Sequence, residues 1–369
     1  MDEDIPMRPR SFNAAPAVPA KPVTLAPTQG TVNNLPTSVV HTAKIAPAIS
    51  EFKHISVAYD ESLAHMKARA AGLNPSLKTP WQQLNEWTLD GIPWQSIVIL
   101  AARPSHGKTL TVTQLTRQSF ALNPTQEFSV LDFQFEMVGK MMGMREMSMA
   151  LRKGLKYLNN AEKGNKLTNV DLQAAYAYAK ANAHLPVYYD DDPRTVADFK
   201  KRVLRFYEAT GRKPIIVTLD HTILLKKART QETINELLYA LGEVMTEIKK
   251  MIPVIFIILT QLNRDCEKVE RLKNGTIGNY IASADVFGAD ALHQHADLML
   301  ALNMPARMGL VAYGPHRYEV HKDLLAGHVL KNRNGEVGDL FFKADFANMR
   351  IEPWPGVNPA QIPASVRLP

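Results

Sequence analysis

The chain has 369 residues, a formal net charge of +7 and a sequence pI near 9.3, a mild basicity compatible with a nucleic-acid partner without requiring one. Its single cysteine, Cys266, excludes an intrachain disulfide and a Cys-based zinc site and fits a reducing compartment. The acidic start MDEDIPMRPR does not read as a signal peptide, and no apolar run reaches the ~18 residues of a membrane helix, so a soluble cytoplasmic protein with no membrane partner is expected.

Residues 1–50 carry eight prolines and almost no aromatic residues. Such a stretch buries too little apolar surface to offset its ordering entropy, which predicts a disordered Pro/Ala-rich arm. Residues 353–369 read as a second Pro-rich tail. Between them, Ile55, Tyr59, Leu63, Met66 and Ala70 recur at helical spacing, predicting one amphipathic helix over 54–71 within a 51–73 linker. Its apolar face has two readings: packing on its own core, or docking on a neighbouring subunit.

From residue 74 to 352 the pattern alternates. SIVILAA, FSVLDFQF, LPVYYDDDP, KPIIVTLDH and VIFIILTQ read as strands. GKTLTVTQLTRQSFAL, the Met-rich stretch 137–155, VDLQAAYAYAKANAH, VADFKKRVLRFYEAT and ETINELLYALGEVMTEIKKM read as helices. Strands apolar on both faces, alternating with helices, predict an α/β fold with a mostly parallel sheet covered on both sides. GHVLKNRNGEVGDLFFK reads as a late β-hairpin turning at Asn334-Gly335.

The turn between SIVILAA and the next helix carries the most specific chemistry. A strand end, a tight turn and a helix N-terminus together present backbone N–H groups and a positive dipole to phosphate. Ala102, Arg103, Pro104, Ser105, His106, Gly107, Lys108, Thr109 and Leu110 form this candidate nucleotide site. Lys108 is placed to reach the terminal phosphates and Thr109 to ligate Mg²⁺. Ala102 stands where the usual G-x-x-x-x-G-K-[ST] pattern has glycine. Asp220, after an apolar run, suits the Mg²⁺ shell. Glu136 has two readings: a general base for hydrolysis, or an acid complementing a helix dipole. Gln261 ends another strand, placed to hydrogen-bond a γ-phosphate. His293 and His295, two apart, suit no metal site, and His321 and His328 add none.

AARPSHGKT, FQFEM, TLDH, TQLNR and KNRNG, in this order, resemble the motifs of DnaB-type replicative hexameric helicases, and the likeness runs from about residue 50 to 352. PVYYDDDPRT and TPWQQLNEWTLDGIPWQSIVILAARP add to it. The resemblance implies a RecA-like P-loop NTPase fold and an ATP- and Mg²⁺-dependent DNA helicase, ringed as a hexamer around single-stranded DNA at a fork, with a primase or loader as possible partner. It implies Glu136 as general base, Gln261 as γ-phosphate sensor, and Arg333 with its companion Lys331 as a finger entering the neighbouring subunit's site. The helix at 54–71 matches the linker helix that docks on the next subunit. The family's N-terminal collar domain has no counterpart here, so a phage- or plasmid-like form is expected, acting in host cytoplasm if viral.

Two further departures stand out. Phe287, Gly288 and Asp290 occupy the places of the family's DNA-gripping Arg, Glu and Gly, and are the candidate DNA-binding residues. His221 follows Asp220 where tyrosine is usual. Two alternatives to a helicase share the same core chemistry: a RecA-like DNA-dependent ATPase or recombinase, and an accessory assembly ATPase whose arm recruits partners.

Overall fold

The computed structural model describes residues 52–73, 75–135, 139–160, 167–222, 225–227, 229, 231–268, 271, 280–356 and 358–363. Contacts divide the chain into two units, 1–74 and 75–369.

In the first unit lies α1 (Ile55–Ala70). The His54 side chain caps it by accepting from Ser56 N, and Lys67 and Arg69 complement the negative end of its dipole. None of its residues is buried; Ile55, Tyr59 and Met66 are more than half exposed. The arm, residues 1–50, lies outside the described residues.

In the second unit the apolar runs form one nine-stranded sheet. Its strands are β1 (Ser96–Ala102), β2 (Ser129–Gln134), β3 (Val187–Asp190), β4 (Ile215–Asp220), β5 (Val254–Gln261), β6 (Leu298–Asn303), β9 (Leu324–Asn332), β10 (Gly338–Asp345) and β11 (Arg350–Pro353). A separate pair, β7 (Ala312–Tyr313) and β8 (Tyr318–Glu319), lies between β6 and β9 in the chain. The order is β11-β10-β9-β6-β1-β5-β4-β2-β3. From β6 to β3 all pairs are parallel; β9, β10 and β11 join antiparallel.

Side chains alternate along each strand, so the sheet has two cores. Ile97, Ile99 and Ala101 face one side, with Val217, Phe256 and Ile258. α7 (Val196–Ala209) and α8 (Ile234–Met251) cover it through Phe199, Val203, Leu238, Leu241 and Met245, and α9 (Ala289–His295) adds Leu292. Val98, Leu100 and Ala102 face the other side. There α2 (Gln82–Trp87) and α3 (Lys108–Leu122) contribute Leu84, Leu110 and Leu115, and Trp81 meets Phe342 edge-on at 5.6 Å. The Met-rich stretch forms α4 (Gly139–Leu151) and the short α5 (Leu155–Leu158); α6 (Asn169–Asn182) follows with a Thr168–Asp171 capping box. No described helix is long and apolar enough to cross a membrane.

The mostly parallel sheet, its flanking helices and the late hairpin follow the sequence pattern. The hairpin turn differs in its cause. Asn334-Gly335 sits in the loop between β9 and β10, where a Cβ on Gly335 would collide with Trp87 O. Asn332 Nδ2 and Glu336 N both donate to that same carbonyl, at 2.8 and 3.2 Å. Glycine is therefore needed for close approach to α2, not for a left-handed turn. Past β11 the tail runs beside β8: Glu319 N donates to Ala360 O at 2.7 Å and Ile362 N to Arg317 O at 2.9 Å.

Candidate nucleotide site

Parallel strands bring their C-terminal ends to one edge of the sheet, where open α/β folds bind ligands. Ala102 is level with Gln261 and Leu302, and Gln134 with Asp220. Ala102 is fully buried and still paired within β1, so no glycine is needed there. The turn itself starts at Arg103. Ser105 and Gly107 adopt left-handed φ of 65° and 89°, and α3 begins at Lys108. A Cβ on Gly107 would stand 3.1 Å from the Phe346 ring, so this position needs glycine for both conformation and space.

The loop is anchored from behind. Arg103 Nε and Nη2 donate to the two Glu267 oxygens at 2.7 and 2.9 Å, and its Nη1 to Leu262 O at 3.0 Å. That pair holds the Glu267 carboxyl below its ordinary value. His106 is buried and its Nδ1 accepts from Met304 N at 3.3 Å. Burial, helped by the nearby Arg307 charge, pushes its pKa down to about 4, so the ring is a neutral acceptor at neutral pH.

Lys108 Nζ donates to Ala102 O at 3.0 Å, and Thr109 Oγ1 donates to Asp220 Oδ2 at 2.7 Å. Asp220 is 2% exposed. A hydroxyl and a carboxylate, both hard oxygen donors at the foot of this turn, are a donor set that fits Mg²⁺. Gln261 closes one side, its Nε2 3.2 Å from His221 Nε2. These residues line a cavity of about 380 Å³ whose outer wall comes from elsewhere in the chain: Arg145 of α4, Arg307 after β6, and Phe346 and Met349 between β10 and β11. The Arg307 guanidinium lies 5.1 Å from the Phe346 ring centre. Sequence reasoning misses this wall; its residues are scattered through the chain, Arg145 on α4 and Phe346 and Met349 between antiparallel strands. Leu110 also borders the cavity and is itself buried in the second core.

The remaining expected residues occupy other places. Glu136 lies outside the described residues. Arg333 and Lys331 lie at the opposite edge of the sheet: Asn332 is level with Leu298, Leu298 with Val98, and Arg333 N donates to Asp297 O. The register shifts between Met299 and Leu300, leaving Leu330 outside the ladder as a bulge just before Lys331. Phe287 is partly buried against the first core, and its N–H donates to Gln261 O at 2.8 Å. Gly288 and Asp290 line an open cavity of about 390 Å³ with Asn235, Tyr239 and Asn263. His328 joins Asp339 and Tyr313 at 2.8 and 2.7 Å in a buried network.

The DnaB-like helicase C terminal domain family matches residues 76–351. The chain is 24% identical over 267 residues to the replicative DNA helicase DnaB of Buchnera aphidicola subsp. Acyrthosiphon pisum, covering 71% of this chain and 52% of the relative. It is 24% identical over 310 residues to the replicative DNA helicase DnaC of Bacillus subtilis, covering 80% and 60%. It thus spans little more than half the length of these curated relatives. Among solved structures, an isolated ATPase domain superposes with a TM-score of 0.69 at 16% identity, covering 82% of this chain and all of that one. A DnaB-like replicative helicase, described with its interactions with primase, gives 0.65 at 17%, covering 79% and 66%. These superpositions establish a RecA-like ATPase fold, and with the match over residues 76–351 the chain belongs to the DnaB-like helicase C-terminal domain family.

Proposed function

We propose that this protein is an ATP-driven replicative DNA helicase that assembles as a ring through contacts between its ATPase cores and translocates on single-stranded DNA. The observation that carries this reading is the position of Arg333. Five residue steps separate Ile97, level with Asp297, from Ala102, so the finger lies roughly 16 Å below the base of its own phosphate loop. No arginine side chain spans that gap and the loop beyond it. An arginine that serves this chemistry must serve the site of another protomer.

In this reading the Gly107 turn and Lys108 bind the triphosphate, and Thr109 and Asp220 hold Mg²⁺. The ion, when bound, neutralises charge on the phosphate oxygens. Glu136 takes the proton of the attacking water, and Gln261 hydrogen-bonds the γ-phosphate. Arg307 and Phe346 clasp the base at the rim. The neighbour's Arg333 meets charge developing on the γ-phosphoryl oxygens, an effect that contributes on the order of 10³ to 10⁵ in rate. Because Phe287 N is bonded to Gln261 O, a shift of the sensor strand reaches Phe287, Gly288 and Asp290, the candidate DNA contacts. Since a structurally similar helicase is described with its interactions with primase, a primase is the first protein partner to test.

A forked-duplex assay with ATP tests the reading. Wild-type protein unwinds the fork; Arg333→Ala binds nucleotide but does not hydrolyse it. Normal turnover by that variant, or filaments on single-stranded DNA with no closed rings and no unwinding, refutes it.

A further inference from the structure

Asp297 stands between α9 and β6 and is tied down on every side. Its backbone N–H donates to Ile97 O at 2.8 Å, and its Oδ2 accepts from Ile97 N at 2.8 Å and from Lys249 Nζ at the end of α8. The carboxylate is largely buried, with 12% of its side chain exposed. It is thus fixed to the start of the central strand and to one of the two helices that cover the sheet. Arg333 is attached to this fixed point twice. Its backbone N–H donates to Asp297 O at 2.9 Å, and its Nη1 lies 3.3 Å from Asp297 Oδ1. Gln294 O takes a further bond from Nη2 at 3.1 Å.

A guanidinium has five N–H donors, and two acceptors on one side leave the others for a second partner. The Arg333 side chain is 48% exposed, so the group is held by its inner face and presented by its outer one. Lys331 sits alongside, bonded to His293 O, with its pKa lowered by burial and then by Arg333. Three cations therefore crowd one carboxylate, and their excess positive charge favours an incoming anion.

We infer that Asp297 is a positioning residue for the Arg333 finger: through Lys249 and Ile97 it fixes the guanidinium relative to the sheet, so that a rigid protomer delivers it to the neighbouring nucleotide. This rests on the in-trans reading of Arg333 given above. Preorganisation of this kind acts on the transition state, where a displacement of about 1 Å costs about 10²-fold.

Asp297→Asn keeps an oxygen for Ile97 N and removes the charge that holds Arg333. It is expected to lower kcat about 10²-fold with KM for ATP unchanged. Mixing it with Lys108→Ala protomers restores hydrolysis, because the intact loop of one receives the intact finger of the other. A protomer that had merely lost its fold gives no such rescue. If the stranded Lys249 ammonium prevents folding, Asp297→Asn combined with Lys249→Met removes both charges and takes its place in the same assays. Wild-type kcat in either variant overturns the inference. So does a mixture without recovery when the control, Arg333→Ala with Lys108→Ala, recovers. If Arg333→Ala itself turns over normally, the in-trans reading falls first and this inference with it.

Discussion

Replacing Gly107 with alanine separates the cost of the loop's conformation from its use. At φ 89° a Cβ is unfavourable by about 1–2 kcal/mol. The new atom also sits 3.1 Å from Phe346, a half-buried ring that must give way by a few tenths of an ångström. Together these predict a loss of about 2 kcal/mol, which for a core of this size lowers Tm by about 3–4 °C without unfolding the protein. The effect on phosphate is larger in proportion, because the Cβ stands where the backbone must approach closely. Each bond to a charged phosphate oxygen contributes about 1.5–3 kcal/mol, so losing one weakens Kd about 10- to 100-fold. Calorimetry without nucleotide and titration with a fluorescent ATP analogue measure the two effects separately. Gly107→Ala with wild-type nucleotide affinity refutes the assignment of this turn as the phosphate cradle.

Thr109→Val removes the hydroxyl bonded to Asp220 and is expected to make nucleotide affinity the same in Mg²⁺ as in EDTA; a retained Mg²⁺ dependence counts against the metal assignment. Phe346→Ala is expected to weaken ATP binding about 10- to 100-fold, the contribution of one stacking contact, while leaving inorganic triphosphate binding unchanged; equal losses for both ligands contradict the base-clasp reading. His106 is depressed in the fold from 6.5 to about 4, so the unfolded chain binds the extra proton between those values. Its contribution, about 3 kcal/mol, is fully present above pH 6.5 and is lost as pH falls through 4. Urea unfolding across that range shows a shallower pH dependence in His106→Met than in the wild type, and an unchanged slope excludes the buried neutral ring as the cause.

The parts of the fold written in local pattern are legible. SIVILAA and VIFIILTQ are apolar at every position but the ends because both faces of a central strand are covered, and they match β1 and β5 residue for residue. The placement of Lys108 and Thr109 at the start of the helix after the turn, and of Asp220 at a strand end, is legible because a strand–turn–helix pattern and an apolar run ending in a carboxylate mark those places. β6 is not: the segment leading into it resembles a DNA-binding loop, and that likeness masks the apolar strand LMLALN. Arg307 and Phe346 are invisible because their meeting depends on β9 and β10 folding back antiparallel beside β6, a tertiary event with no signature in spacing. Gly335 is legible as a turn residue, but its cause, the Trp87 carbonyl, comes from a helix some 250 positions earlier in the chain, as the Asn332–Trp87 bond also shows.

The Gly107 turn and the KNRNG hairpin occupy opposite rims of one sheet, and under the proposed function that arrangement gives each protomer a donor end and an acceptor end. An assembly built through this contact is head-to-tail, with two different surfaces meeting at each junction rather than one patch meeting itself. Such a junction either closes on itself or propagates as an open helix, according to the rotation between neighbours. On the in-trans reading proposed for Arg333, damage is directional: a subunit with a defective hairpin silences the pocket of the next subunit around and leaves its own pocket in working order.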